Sequence, residues 1–131
     1  MKLEELRKNL IEEKYLNRWV EEGTWSWNVD GSVDVQGDIV IRADFNRSTL
    51  PIKFRKVTGR FDCSCCRSIE SLINFPEEVG MLFSVSNNKL TSLDGAPKRA
   101  KYFNCHHNTK QFTPEDVRKV CNVAISNIQV Y

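Results

Sequence analysis

The 131-residue sequence lacks most features that assign a protein to a class at first sight. Its apolar runs are only a few residues long, far short of the about 20 that a membrane-spanning helix needs. Its N-terminal segment alternates charged residues with leucines and has no continuous apolar stretch, so we expect no secretory signal. Five cysteines without such a signal predict reduced thiols in a cytoplasm.

Strong charge and familiar catalytic motifs are also missing. The net charge is only +2, which indicates no strong attraction to nucleic acid or acidic lipid. There is no glycine-rich phosphate loop, HExxH motif or GxSxG motif, so we predict a protein that is not an enzyme. Hydrophobic residues make up 40% of the chain and charged residues 27%, a composition typical of one globular domain with one core.

What the sequence does contain is an internal repeat. Residues 35–41 align with residues 57–63 and 79–85 at offsets of 22, and every copy has an apolar-x-apolar pair typical of a short strand. A fourth pair begins at Phe103, which follows Phe83 by 20 residues. Spacings of 22 and then 21 recur at two further sets of positions: Leu50, Leu72 and Leu93, and Phe54, Pro76 and Pro97.

The clearest copy, residues 83–97, shows what such a unit requires. Its strand pair, Phe83 and Val85, turns inward, and Asn87 and Asn88 follow where the chain must bend. Asparagine at a bend can bind backbone groups that the bend leaves unpaired. One copy cannot bury its own apolar face, so the copies must stack. We therefore predict an α/β fold, a short leucine-rich-repeat-like solenoid with a parallel sheet and about four repeats.

The residues before the repeats predict an N-terminal cap. Residues 2–22 are rich in helix-forming residues and predict two short helices or one bent helix that ends near Gly23. Leu3, Leu6 and Leu10 share one face of that helical segment. Alternating apolar residues on both sides of a turn at residues 30–31 then predict a β-hairpin that covers the first repeat.

The residues after the repeats predict a C-terminal cap. Thr113 followed by Pro114 is typical of the start of a helix, and residues 124–131 are expected to form a last strand. The whole chain is therefore predicted to be one domain in three parts: an N-terminal cap at residues 1–36, repeats at 37–112 and a C-terminal cap at 113–131.

The repeats resemble those of leucine-rich-repeat-like proteins encoded by large tailed bacteriophages. The matching motifs are VTGRFDCS at residues 57–64 and VSNNKLTSLDGAPK at residues 85–98, and the resemblance covers roughly residues 24–131. The chain departs from the pattern where an asparagine pair is expected, with Cys65-Cys66 in the second copy and Ala43-Asp44 in the first. The resemblance implies the fold and a phage-like origin, and it implies protein binding by analogy with other leucine-rich repeats.

Cysteine and histidine at the bends are residue types that bind zinc. The candidate ligands are Cys65 and Cys66 at the predicted bend of the second copy, and His106 and His107 at the predicted bend of the fourth. The repeat, however, also explains Cys63 and Cys105 as inward-facing strand residues. Equivalent positions two copies apart would lie roughly 10 Å from each other, too far for a tetrahedral site or for a Cys63–Cys105 disulfide. We predict no metal or cofactor, with a zinc site on those four residues as an alternative.

The cysteine and histidine residues at the same bends are also candidates for a catalytic thiol and its base. Cys66 would be the nucleophile and His107 the base, which requires hydrogen-bond reach between them. Nothing in the sequence supplies an oxyanion hole or a substrate pocket for this pair. We therefore predict no catalytic residue.

The outward side of the strands is the expected binding surface. The candidate partner-binding residues there and on the hairpin are Arg60, Asp62, Leu82, Ser84, Tyr102, Asn104, Trp25 and Trp27. Such a mixture of polar and aromatic side chains suits a protein partner better than a phosphate backbone. The two tryptophans stand two residues apart on a strand, so both complete the cap or both contact a partner.

A set of basic residues along the repeat turns offers a different interpretation. These residues are Lys53, Arg55, Lys56, Lys98, Arg99 and Lys101. They are typical of a solvated rim, and they would also suit contact with nucleic acid or an acidic protein.

Together, these patterns predict a non-enzymatic protein-interaction module. We expect a phage accessory protein in the bacterial host cytoplasm that binds and inhibits a host protein of defence or regulation. The alternatives are a nucleic-acid-binding regulator and a small zinc- or thiol-dependent protein. No membrane partner is expected. A homodimer is conceivable, paired through the terminal strand edge near Tyr131 or through the capping hairpin.

Overall fold

In the computed structural model, which describes residues 2–131, the chain is an α/β protein with two α-helices and one eight-stranded, mostly parallel sheet. The helices are α1 (Leu3–Trp19) and α2 (Pro114–Val120), with a 3-10 helix at Ile125–Asn127. The strands are β1 (Val20–Trp27), β2 (Val33–Val40), β3 (Phe54–Val57), β4 (Phe61–Asp62), β5 (Glu78–Val79), β6 (Leu82–Ser84), β7 (Tyr102–Asn104) and β8 (Ile128–Gln129). No helix within residues 2–131 is both long and apolar enough to cross a membrane.

The parallel strands form four rows that succeed one another along the chain. Row 1 is β2, row 2 is β3 with β4, row 3 is β5 with β6, and row 4 is β7. β2 pairs with β3 and β4, β3 pairs with β5, and β4 pairs with β6. β6 then pairs with β7, and β7 pairs with β8. Each row is therefore hydrogen-bonded to the row that follows it in the sequence.

The register of these rows matches the spacing found in the sequence. Ile39 pairs with Phe61, Phe61 pairs with Phe83, and Phe83 pairs with Phe103. These residues stand 22, 22 and 20 positions apart, as the sequence alignment placed them. The parallel sheet that the repeated apolar pairs predicted is thus confirmed.

The core lies on one side of this sheet and contains a column of phenylalanine rings. Phe61, Phe83 and Phe103 are fully buried, with ring centroids 6.1 Å apart between the first two and 5.0 Å between the last two. Phe75 packs against Phe61 and Phe83 at 5.4 and 6.0 Å. Buried leucines of the turns lie with these rings in one cluster: Leu50, Leu72, Leu90 and Leu93. Each ring thereby removes apolar surface from water and gains aromatic contacts with the rows beside it.

A column of glycines lets the rows approach closely midway along the strands. The backbone N–H of Gly59 donates to the Gly37 carbonyl at 2.9 Å. A Cβ on Gly59 would lie 2.5 Å from that oxygen, and one on Gly80 would lie 2.0 Å from the Thr58 carbonyl oxygen. No side chain fits such distances, so glycine is required where the backbones meet.

The N-terminal helix differs from the predicted one. α1 is continuous and ends at Trp19, so the expected stop at Gly23 is wrong. Gly23 lies inside β1, where a Cβ would lie 2.1 Å from the Gln36 carbonyl oxygen of β2. Only the second half of α1 packs on the core, through Leu16 and Trp19. The leucine face at positions 3, 6 and 10 is exposed.

The predicted β-hairpin is confirmed by the antiparallel pairing of β1 with β2. Trp27 lies opposite Val33, and the loop between them contains Asp30 and Gly31. Asp30 Oδ1 accepts hydrogen bonds from the Ser32 backbone N–H at 3.0 Å and from its hydroxyl at 2.6 Å. Because β2 is also row 1, one strand serves both as the second arm of the hairpin and as the first parallel strand.

The C-terminal helix begins where the sequence predicted. The Asp116 backbone N–H donates to Thr113 Oγ1 at 3.1 Å, and the Thr113 N–H donates to Asp116 Oδ2 at 3.0 Å. This reciprocal pair is a capping box. The last strand is shorter than the predicted residues 124–131, because a 3-10 turn at Ile125–Asn127 precedes the two residues of β8.

Candidate functional site

The outward side of β4, β6 and β7 carries the side chains expected to bind a partner. Across the rows, Leu82 pairs with Tyr102, and Ser84 pairs with both Asp62 and Asn104. Tyr102 is exposed and Leu82 half-buried, so an aromatic and an aliphatic side chain lie side by side at the surface. Ser84 is buried between its larger neighbours and therefore presents little surface to a partner.

An open groove runs beside these residues at the C-terminal end of the sheet. It is lined by Leu82, Tyr102 and Asn104 of the sheet, and by Ser126, Asn127 and Gln129 of the last segment. Its volume is about 300 Å³. The Asn127 side-chain amide donates to the Lys101 carbonyl at 3.0 Å, which holds the last segment against row 4. Sequence reasoning missed this wall of the groove, because residues 126–129 follow the repeats.

The other end of the same face is charged and internally paired. The Arg60 guanidinium lies 3.6 Å from Asp38 Oδ2 and 3.8 Å from Glu21 Oε2. Its Nη1 lies 4.0 Å from Asp62 Oδ2. The Arg60 backbone N–H also donates to Asp38 Oδ1 at 2.9 Å. Arg60 therefore lies among three carboxylates that more than neutralise its charge. The surface changes from charged at row 1 to aromatic at row 4.

Trp25 and Trp27 lie together, as their spacing on one strand predicted. Their ring centroids are 5.0 Å apart in an edge-to-face arrangement, and both are partly buried against the core. The indole N–H of Trp27 donates to Glu12 Oε2 at 3.3 Å. The pair therefore links α1 to the hairpin.

The set of basic residues along the repeat turns is interrupted by acidic residues in the structure. Glu78 pairs with Lys56 of row 2 on one side and bridges to Arg99 on the other. The Glu77 backbone lies between the same two rows: its N–H donates to the Arg55 carbonyl at 2.8 Å, and its carbonyl accepts from the Lys98 N–H at 2.7 Å. An acidic row therefore separates two basic rows.

Arg55 is further engaged by an acidic partner on row 1. Its Nε and Nη2 donate to the two Asp34 carboxylate oxygens at 3.0 and 2.5 Å. These two hydrogen bonds lower the pKa of Asp34 to about 2, although partial burial of the carboxylate acts to raise that pKa. Arg55 is therefore less available to an anionic ligand than its sequence position indicated.

Asparagine side chains form hydrogen bonds at the corners of rows 3 and 4, the bends where the chain turns after the last strand of each row. Asn88 Oδ1 accepts from the Ile69 N–H at 3.2 Å, and its Nδ2 donates to the Cys63 carbonyl at 2.8 Å. Asn108 makes equivalent bonds one row later, accepting from the Leu90 N–H at 3.0 Å and donating to the Val85 carbonyl at 3.1 Å. Each asparagine ties its own corner to the preceding row.

The corner of row 4 is shifted by one residue from its predicted position. Cys65, Asn87 and His107 all have left-handed backbone conformations, with φ of 62°, 57° and 55°. The residue after each of them occupies the inward corner position. The corner pair of row 4 is therefore His107-Asn108 and not His106-His107, and the asparagine is retained there. Cys66 takes the corresponding position in row 2.

The candidate zinc ligands do not converge. Cys66 is buried with its Sγ against Ile41 and Arg42 carbonyl oxygens, at 3.5 and 3.6 Å, whereas Cys65 is exposed. His106 Nδ1 and His107 Nδ1 lie 3.0 Å apart at the surface of row 4. In the described part of the chain, no group of three or more His, Cys, Asp or Glu side chains is placed to hold a metal ion.

Sequence reasoning also missed a relationship between two cysteines. Cys63 and Cys66 stand at C-x-x-C spacing, and their sulfur atoms are 3.4 Å apart in the core. The C-x-x-C spacing of residues 63–66 is the sequence signal that identifies this pair.

Comparison of the chain with protein-family models, with curated proteins and with solved structures finds no significant match.

Proposed function

We propose that this protein is a non-enzymatic protein-interaction module, a short leucine-rich-repeat-like solenoid that binds a protein on the outward face of its sheet. The observation that supports this proposal best is the exposed Tyr102 beside Leu82, at a groove that the last segment completes. Tyrosine is enriched at protein interfaces because its large rigid ring combines apolar area with a hydroxyl group. In this proposal, residues 37–112 are the repeats and the two ends are caps.

The sequence resemblance supports a more specific role. We infer that the protein is a phage accessory protein in the host cytoplasm, and that its partner is a host defence or regulatory protein that it inhibits. A groove bordered by aromatic, aliphatic and amide side chains suits a protein surface of mixed polarity. The acidic row between the basic residues favours a protein partner over nucleic acid, because it interrupts the positive charge that a phosphate backbone would follow.

The test is capture of a partner from bacterial lysate by the tagged, full-length protein. Wild type is compared with Tyr102→Asp, which places a charge at the groove, and with Ile73→Asp. Ile73 is an exposed apolar residue in the turn between β4 and β5, so its substitution is a matched control. We expect one stoichiometric protein with wild type and with Ile73→Asp, and its loss with Tyr102→Asp.

Two results would contradict the proposal. One is that no stoichiometric protein is recovered with any variant. The other is capture that survives Tyr102→Asp but is abolished by nuclease treatment and falls steeply with salt, which would identify a nucleic-acid-binding protein instead.

A further inference from the structure

Two of the five cysteines form a thiol pair in the core. Cys63 is fully buried and Cys66 almost so, and their sulfur atoms lie 3.4 Å apart, within hydrogen-bonding distance for two thiols. All five cysteines are free thiols. Cys105 and Cys121 are buried elsewhere, and burial raises their pKa values to about 12 and about 11.

The pairing of these sulfurs follows from the position of Cys66 in row 2. In row 3 the same position is held by Asn88, whose amide donates to the Val85 carbonyl three residues before it. Cys66 is shorter and lies over the side chain three residues before it, which is Cys63. Cysteine in place of asparagine at this position therefore brings two thiols into contact. In row 4 the buried Cys105 has no such thiol neighbour, because the residue three positions after it is Asn108, whose amide donates to the Cys105 carbonyl.

We propose that Cys63 and Cys66 form a reversible thiol-modification site, at which exchange with a small disulfide such as glutathione disulfide converts them to an intramolecular disulfide. In the first step the Cys66 thiolate attacks one sulfur of glutathione disulfide, forms a mixed disulfide and releases one glutathione thiolate. In the second step Cys63 loses its proton and attacks the Cys66 sulfur, which releases the second glutathione. Two protein thiols are oxidised, and one glutathione disulfide is reduced to two glutathione molecules.

Cys66 is the better initial nucleophile of the two. The Cys63 thiol can donate a hydrogen bond to it, which lowers the pKa of Cys66 below its ordinary value, while the same contact and burial raise the pKa of Cys63. Cys66 also lies at a corner beside the exposed Cys65, so a small opening of this corner admits the oxidant, whereas Cys63 lies deeper in row 2.

The modification would act on the candidate interaction surface through Ser64. Ser64 lies between the two cysteines in sequence, and its backbone N–H and hydroxyl both donate to Asp62 Oδ1, at 3.0 and 2.5 Å. Asp62 belongs to the outward face and lies beside Arg60. A disulfide would also remove the Cys66 S–H that faces the Ile41 carbonyl. Oxidation therefore changes a loop that positions a charged side chain of that face.

The experiment exposes the folded full-length protein to glutathione buffers of increasing oxidised fraction. Free thiols are then alkylated in denaturant, and the tryptic peptide of residues 61–67 is weighed by mass spectrometry. Wild type is compared with Cys65→Ser, which leaves only the two proposed cysteines in that peptide, and with Cys66→Ser. Cys105→Ser serves as a control at a buried cysteine outside the pair.

In wild type, Cys65→Ser and Cys105→Ser we expect a peptide two hydrogens lighter than its free-thiol form, with Cys63 and Cys66 both unalkylated. Dithiothreitol before alkylation should restore alkylation of both cysteines. Cys66→Ser should form no disulfide within this peptide. The proposal is overturned if Cys63 and Cys66 remain fully alkylated at the most oxidising ratio. It is equally overturned if Cys65→Ser abolishes the disulfide, or if the disulfide forms only in denaturant. Because Cys65→Ser alters an exposed residue, these outcomes do not depend on a variant with a damaged core.

Discussion

Asn88 and Asn108 make equivalent hydrogen bonds one row apart. Each accepts from a backbone N–H in the turn of the preceding row, and each donates to carbonyls of its own row and of the preceding row. A buried polar group that loses its partner costs about 1–3 kcal/mol. Asn88→Ala leaves the Ile69 N–H and the Cys63 carbonyl without their partner, so we expect it to lower the free energy of unfolding by about 3 kcal/mol.

Urea denaturation followed by circular dichroism measures this loss. Asn46→Ala is the control, because Asn46 is exposed, and its effect should stay within about 0.5 kcal/mol. Equal effects at the two positions would contradict the assigned role of Asn88.

A second prediction concerns the two faces of β7. Phe103 is fully buried in the phenylalanine column, whereas its neighbour Tyr102 is exposed on the outward face. We expect Phe103→Ala to destabilise the protein by about 4 kcal/mol, because it removes a buried ring and leaves a cavity. Tyr102→Ala should cost less than about 1 kcal/mol. Thermal and urea unfolding of both variants compare the two sites, and a larger loss for Tyr102→Ala would reverse the assigned faces.

The glycine column gives a third prediction. A Cβ on Gly80 would lie 2.0 Å from the Thr58 carbonyl oxygen, so Gly80→Ala must separate two adjacent backbones. We expect a loss of about 3 kcal/mol, similar to overpacking of a core. Gly31→Ala is the comparison: its φ is 87°, yet nothing lies within 4 Å of the added atom. Only the left-handed backbone is penalised there, by about 1 kcal/mol. Equal losses in urea denaturation would exclude the close approach of rows as the cause.

The Asp34–Arg55 pair predicts a pH dependence of stability. The guanidinium holds the pKa of Asp34 at about 2, below its value of about 3.9 in an unfolded chain. A lowered folded-state pKa means that the stabilisation is complete above about pH 4 and is lost as the pH falls toward about 2. Because both side chains are partly exposed, we expect the pair to contribute about 1 kcal/mol at neutral pH.

Wild type and Asp34→Asn should therefore differ in unfolding free energy at pH 7 and converge near pH 2. Asp94→Asn alters an exposed carboxylate in a turn and should follow wild type at every pH. A difference between wild type and Asp34→Asn that grows on acidification would have the wrong sign for this ion pair.

Much of the sheet was predictable because its contacts repeat along the chain. The 22-residue spacing fixed which apolar residues pair in adjacent rows, and the Thr113-Pro114 sequence marked the start of α2. The corner of row 4 was less accessible to sequence reasoning. Two adjacent polar residues both suit a bend, and only the left-handed φ of His107 shows that Asn108 is the inward one.

For the candidate surface, the sequence predicted which strand positions face outward, but not which of them are exposed or which other residues line the groove. Alternation along a strand identifies outward positions, and it placed Tyr102 correctly. It does not show that Ser84 is enclosed by the longer side chains of Asp62 and Asn104, since that depends on neighbours from other rows. It also does not show that Ser126 and Asn127 complete the groove, because they belong to no repeat.

The succession of rows has a mechanical consequence. Since each row is hydrogen-bonded to the row that follows it in the sequence, a force applied at the C-terminus acts on β8 first, then on row 4, then on row 3. Each row of 20 to 22 residues would detach in turn and release about 70 Å of extended chain. The protein would therefore peel from one end under tension, with β2 and its hairpin released last.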